Sequence, residues 1–242
     1  MVFSKGLDFI KRLLSEAADE SNGSISVTDE SVIRRFVEDP DFPFLVSFPR
    51  TGSHWLRMLM ELYFERPSLV RVFYFKEKSD YLFLHTHDMG LDVRRKNVIY
   101  LFRNPAPTVF SQMVYEKEDT DDAQRIRHWA GFYGRHLKKW LIDEKESERK
   151  TIVRYEDMSR NLEKEFMKIT AHFSEAFDPD RLKAAMESAT KAEVKKKTTH
   201  DDKVVNTGAG YAQMRDEFSK KYAGLIEEIV FGQCPGLKRF FV

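Results

Sequence analysis

The sequence predicts an α/β fold: one domain with a central, mostly parallel sheet flanked by helices. Three observations carry that expectation. Short apolar runs alternate along the chain with segments of helical period. The clearest run, Asn97-Val98-Ile99-Tyr100-Leu101-Phe102, is nearly continuous in apolar residues, which suits a strand buried on both faces. And 242 residues, 42% hydrophobic and 33% charged, suffice to cover both faces of such a sheet.

The elements follow in order. Phe3, Leu7, Ile10 and Leu14 recur at helical spacing, so residues 3–17 read as an amphipathic helix. Ser21-Asn22-Gly23-Ser24 is a loop, and Val32 and Phe36 mark a short second helix with Thr28 as its N-cap. Residues 1–43 thus form a helical segment packed on a single domain covering 1–242. Pro40 and Pro43 extend the chain into a strand at 44–48, and a helix runs from Ser53 to Phe64. Strands are expected at 81–86 and 97–102. Asn104 suits an N-cap and Pro105 the first position of a helix. Residues 123–142 read as a long helix with Trp129, Phe132, His136 and Trp140 near one face. The charged run 143–150 is a solvated turn and 151–155 a strand. Leu162, Phe166, Ile169 and Phe173 stripe one more helix; Met214, Phe218, Tyr222, Leu225 and Ile229 stripe the last.

The bulk numbers exclude some functions. A net charge of +1 gives no field for nucleic acid or an anionic membrane, and neither is expected as a partner. One cysteine, Cys234, leaves no internal disulfide framework and no zinc ribbon. The N-terminus lacks a signal-peptide core and no stretch has the apolar length of a membrane span; a cytoplasmic location is expected.

Four constellations carry chemistry. Phe48-Pro49-Arg50-Thr51-Gly52-Ser53-His54-Trp55 joins a strand to a helix, the arrangement that holds a phosphate. Gly52 permits a tight turn, Arg50 can fork onto two anionic oxygens, and Trp55 can stack on a flat base. The Walker A pattern is absent. Arg103-Asn104-Pro105 leaves the end of a buried strand, with Ser111 two helical turns on; together they can clamp a second phosphate. Tyr155-Glu156-Asp157 stands at another strand end. In His85-Thr86-His87, the two histidines share a face of a strand. One can be a general base, both can be structural, or both can bind a metal; no third ligand suggests itself and no metal is expected.

Taken together, these blocks resemble the soluble, cytosolic-type sulfotransferases that use 3′-phosphoadenosine 5′-phosphosulfate (PAPS). The family's Tyr-Pro-Lys-Ser-Gly-Thr-Thr-Trp loop corresponds to Phe48–Trp55, its Arg-Asn-Pro with a following Ser to Arg103 and Ser111, its Lys-Thr-His to His85–His87, and its Tyr-Glu-Asp to Tyr155–Asp157. The resemblance implies a P-loop-like phosphosulfate-binding loop of Arg50, Thr51, Gly52, Ser53 and His54. It implies adenine contacts from Trp55 and Tyr155, and a 3′-phosphate site of Arg103 and Ser111. His87 would take the proton from the hydroxyl or amine of a small-molecule acceptor, Arg50 would stabilise the leaving group, and 3′,5′-adenosine bisphosphate (PAP) would be released. No metal is implied. Arg50 stands where many members have Lys, and His85 where they have the Lys before Thr-His. The family's C-terminal Arg-Lys-Gly block is replaced by Asn206-Thr207-Gly208-Ala209-Gly210-Tyr211, in which Gly208 and Gly210 would offer main-chain amides. Two alternatives are a P-loop-type kinase or nucleotide hydrolase, and a catalytically silent nucleotide-binding module.

Overall fold

The computed structural model describes residues 25–26, 29–143, 145, 147–198, 208 and 210–241; the helix expected at 3–17 and the loop at 21–24 lie outside them. In chain order the elements are β1 (Ile25–Ser26), α1 (Glu30–Val37), β2 (Phe44–Ser47), α2 (Ser53–Phe64), β3 (Arg71–Val72), β4 (Leu84–Thr86) and β5 (Asn97–Phe102). There follow α3 (Pro105–Tyr115), α4 (Ala123–Leu137) with a π-helical turn Lys138–Ile142, β6 (Arg149–Arg154), α5 (Tyr155–Arg160) and α6 (Leu162–His172). The chain ends in α7 (Pro179–Ser188), α8 (Lys191–Lys197), α9 (Tyr211–Gln233) and a 3-10 turn, Pro235–Phe240.

The fold class is the expected one. Four strands form a sheet in the order β4-β2-β5-β6. β5 and β6 run parallel, from Asn97 opposite Arg149 to Phe102 opposite Arg154. Every residue of β5 is buried, as its apolar run demands. The chain moves from β2 to β4 on one side, then to β5 and β6 on the other, so the strand order reverses at β2. Ligands of open α/β sheets bind outside the carboxyl ends of the strands at such a reversal.

The described residues fall into two compact units. The first takes in residues 25–26, 29–45, 54–85 and 178–198. Its centre is Glu61 of α2, fully buried, which accepts from the main-chain N–H groups of Phe73 (3.0 Å) and Tyr74 (2.8 Å) and from the Ser68 hydroxyl. Burial raises the Glu61 carboxyl; the Arg57 charge and these hydrogen bonds pull the other way. α7 and α8 of this unit, absent from the sequence expectation, are capped by Asp178 and Thr190.

The second unit takes in residues 46–53, 86–177 and the described part of 206–242. Here α9 lies close on α4: a Cβ on Gly134 would sit 3.1 Å from the Val230 Cα. Phe48 is fully buried against Tyr133, His136 and Phe132 of α4, at ring separations of 4.7, 5.5 and 5.9 Å.

Several element boundaries differ from expectation. The strand expected at 81–86 is only Leu84–Thr86; Leu82 N–H and Phe83 carbonyl instead bond to Pro67 and Leu69. α1 is capped by Asp29, not Thr28. α4 stops at Leu137, and Trp140 is carried by the π-helical turn, still fully buried. β6 starts at Arg149, since an edge strand tolerates charge, and Tyr155 leaves it to open α5, whose first turn holds Glu156 and Asp157.

Candidate active site

Each of the four strands delivers a candidate residue just past its carboxyl end: β2 the loop through Arg50, β4 His87, β5 Arg103 and β6 Tyr155. All of these belong to the second unit. The loop is shaped by two left-handed residues, Arg50 at φ 67° and Gly52 at φ 95°. Between them Thr51, fully buried, donates its hydroxyl to the Phe48 carbonyl at 2.7 Å and ties the turn shut. Ser53, also buried, begins α2. The Arg50 guanidinium lies over the Tyr115 ring, 5.0 Å from its centroid.

Gly52 faces the Tyr155 ring so closely that a Cβ there would lie 2.5 Å from Cδ2. On the same ring rests the Arg103 guanidinium, 4.6 Å from the centroid. Arg103 Nη1 donates to the Arg50 carbonyl at 3.3 Å, while its Nε is buried with no hydrogen-bond partner among the described residues. Glu156 is the nearby carboxylate: it accepts the Asn104 N–H at 3.1 Å and stands 3.4 Å from Arg154 and 4.0 Å from Arg103. Asn104 occupies the N-cap position of α3 but does not cap it; its side-chain oxygen is taken by Arg154 at 2.8 Å, a correction to the expectation. Two guanidinium groups, a glycine turn and hydroxyls make a donor set that suits a polyanion.

His87 is held by its Nδ1, which is 2.7 Å from the Ser47 carbonyl. A carbonyl can only accept, so Nδ1 carries a proton, and in the uncharged form of the ring Nε2 is the accepting nitrogen. The main chain of His87 is pinned as well. His136 Nε2 donates to its carbonyl at 2.9 Å, and the Tyr100 hydroxyl donates to His136 Nδ1 at 2.8 Å. Burial lowers His136 to about 4 and raises Tyr100, so both are neutral. The next residue, Asp88, is buried, accepts from Thr86 at 3.0 Å and takes a two-pronged bond from Arg95 at 2.9 and 3.1 Å.

Ser111, buried on α3, donates to the Pro107 carbonyl at 2.7 Å and lies 2.9 Å from the Tyr211 hydroxyl. Gly208 and Gly210 are exposed; their carbonyls accept from Tyr211 and Met214, and Gly210, at φ 87°, is the residue before α9. His54 and Trp55 fall in the first turn of α2 within the first unit, with His54 6.0 Å from the Phe73 ring. His85, in β4, is 9% exposed and belongs to that unit too. Sequence reasoning missed Tyr115, Tyr211, Arg95 and the Tyr100–His136 pair. Only Tyr211 had a signal, its place inside the replaced C-terminal block. Among the described residues no group of three or more His, Cys, Asp or Glu is placed to hold a metal ion.

The model of the family described as "Sulfotransferase domain" matches residues 82–225, more than half of the chain. The chain belongs to the sulfotransferase family. That match covers His87, Arg103, Ser111, Tyr155, Gly208 and Gly210; the loop at 48–55 precedes it. Solved sulfotransferases share the fold. Mouse sulfotransferase SULT7A1 complexed with PAP is 19% identical, with a TM-score of 0.51 over 80% of this chain and 89% of that one. The sulfotransferase domain from the curacin biosynthetic pathway is 13% identical, with 0.53 over 82% and 98%. Retinol dehydratase, in complex with androsterone and inactive cofactor PAP, is 14% identical, with 0.54 over 91% and 84%. A search of curated sequences returned no match. No helix among the described residues of this sulfotransferase is long and apolar enough to cross a membrane.

Proposed function

We propose that this sulfotransferase is a cytoplasmic, single-domain enzyme that takes the sulfuryl group from PAPS and gives it to a hydroxyl or amine of a small molecule, with His87 as general base. The observation that carries the reading is the His87–Ser47 bond, which supports Nε2 as the nitrogen left to accept a proton, past the carboxyl ends of the strands as Arg50 and Arg103 are. The donor set fits the nucleotide: Arg103 keeps a buried Nε with no hydrogen-bond partner among the described residues, Glu156 being 4.0 Å away, and Gly52 leaves a turn in which a side chain would not fit.

When bound, PAPS supplies an activated sulfuryl group on a phosphate leaving group. Arg50, Thr51, Gly52 and Ser53 would hold its 5′-phosphosulfate, and the resemblance gives His54 and Trp55 to the same ligand. Arg50 would neutralise charge growing on the leaving oxygen, as a permanent cation and not a proton donor. Arg103 and Ser111 would hold the 3′-phosphate, with main-chain help from Gly208 and Gly210, and Tyr155 would face the base. His87 Nε2 would receive the acceptor's proton, and the imidazolium would keep Nδ1–H on the Ser47 carbonyl. No metal is required in this scheme.

Two measurements test it. Isothermal titration with PAP should give binding at submillimolar concentration or better; its absence rejects the donor. Incubation with sulfur-35-labelled PAPS and an acceptor library should yield labelled product, identified by mass spectrometry. PAP binding with no transfer to any acceptor would favour the silent module.

A further inference from the structure

The C-terminal block that carries Arg-Lys-Gly in the resembled family has no cation at the described positions 208, 210 and 211 of this chain. What the fold brings to Ser111 from that block is Tyr211, one hundred residues away in sequence, with 2.9 Å between the hydroxyl oxygens. The tyrosine ring is seated beside Phe110, 5.4 Å between centroids. Its N–H is bonded to the Gly208 carbonyl, and it is the first residue of α9.

The direction of this contact follows from counting protons. Ser111 has one, and it is spent on the Pro107 carbonyl at 2.7 Å. Tyr211 is therefore the donor and Ser111 the acceptor. A hydroxyl that already accepts a hydrogen bond is a stronger donor of its own proton. The Pro107 carbonyl also lies within the helical ladder of α3, where the Ser111 main-chain N–H is its ordinary partner. Ser111 can thus turn its proton from Pro107 to an incoming anion without leaving that carbonyl orphaned. Tyr211 would keep the serine oxygen in place during the turn and polarise it.

We infer that Tyr211 is a positioning residue for recognition of the nucleotide's 3′-phosphate, acting through Ser111 where the resembled family uses a cationic block. The inference rests on the donor reading above. Among the described residues, it makes two neutral hydroxyls, those of Ser111 and Tyr211, act as one unit in that recognition.

The test compares the affinities of 3′,5′-adenosine bisphosphate and 5′-adenosine monophosphate by titration calorimetry. Tyr211→Phe removes the hydroxyl and keeps the ring on Phe110. The preference of the variant for the bisphosphate should fall about tenfold, with monophosphate affinity unchanged. Ser111→Ala should produce the same loss, and adding Tyr211→Phe to Ser111→Ala should change nothing further. An equal loss for both nucleotides would mean that Tyr211 is merely structural and would overturn the inference. So would an intact preference, or full additivity of the two substitutions. Failure of the unaltered protein to bind either nucleotide rejects the donor reading itself, and this inference with it.

Discussion

His87 gives its Nδ1 proton to the main-chain carbonyl of Ser47, 2.7 Å away, so the last residue of one strand sets the tautomer of a side chain just beyond another. A main-chain carbonyl does not titrate. The imidazole is therefore oriented in both of its charge states. His87→Gln should lower turnover by about 10²–10⁴-fold, the usual worth of a general base, with PAP affinity unchanged. Parallel single-turnover and calorimetric measurements check this. Unchanged turnover removes His87 as the base.

Gly52 is irreplaceable for two separable reasons. Its φ of 95° strains any side chain, at a cost of about 1–3 kcal/mol. A Cβ would also strike the Tyr155 ring at 2.5 Å. Gly52→Ala should lower the unfolding temperature and weaken PAP binding. Adding Tyr155→Ala should recover part of the stability and none of the affinity. Thermal scans and titrations of both variants separate the two terms.

The Asp88–Arg95 pair is buried on both sides, with 0% and 7% of the side chains exposed. Removing one partner of such a pair strands the other charge and costs about 3–5 kcal/mol. Arg95→Met should therefore cost far more than Asp88→Asn with Arg95→Met together, as read from urea unfolding. Equal losses would mean that the ion pair is not the unit of stability.

His136 is fully buried and held near 4, against 6.5 for a free imidazole. The folded form thus resists a proton that the unfolded form takes up from about pH 6.5 downward. Stability contributed by this group is complete above 6.5 and lost as pH falls toward 4, by an amount on the order of 3 kcal/mol. His172, lowered to about 4 chiefly by burial with Arg149 adding to it, acts in the same direction. His136→Asn should flatten the acid limb of a plot of urea midpoint against pH. An unaltered limb would assign acid sensitivity elsewhere.

Much of this was legible in the chain because it was local. The apolar block 97–102 is a strand from end to end, and α2 runs from Ser53 to Phe64 as its pattern foretold. α7 and α8 were hidden because they bury so little: Leu182 and Ala185 in one, Val194 in the other, the rest of α8 being mainly lysine. A pattern needs a stripe, and these short helices have almost none. The residue types of the site were legible as motifs, but their contacts were not. Nothing in the sequence near Gly52 signals the Tyr155 ring, and nothing near Ser111 signals Tyr211. Such contacts depend on how strands are ordered, and strand order is a non-local property.

Because one residue is contributed past the end of each of four strands, the proposed anion seat has no precursor in any shorter piece of the chain. A single strand–helix unit carries either Arg50 or Arg103, not both. The ring that closes on Gly52 arrives only when β6 has joined the sheet. Nucleotide affinity is then a clock for folding: it should appear in one late step, after most secondary structure has formed. Saturating PAP would in turn hold the last strand in place, slowing its release under denaturant and protecting its amides from exchange.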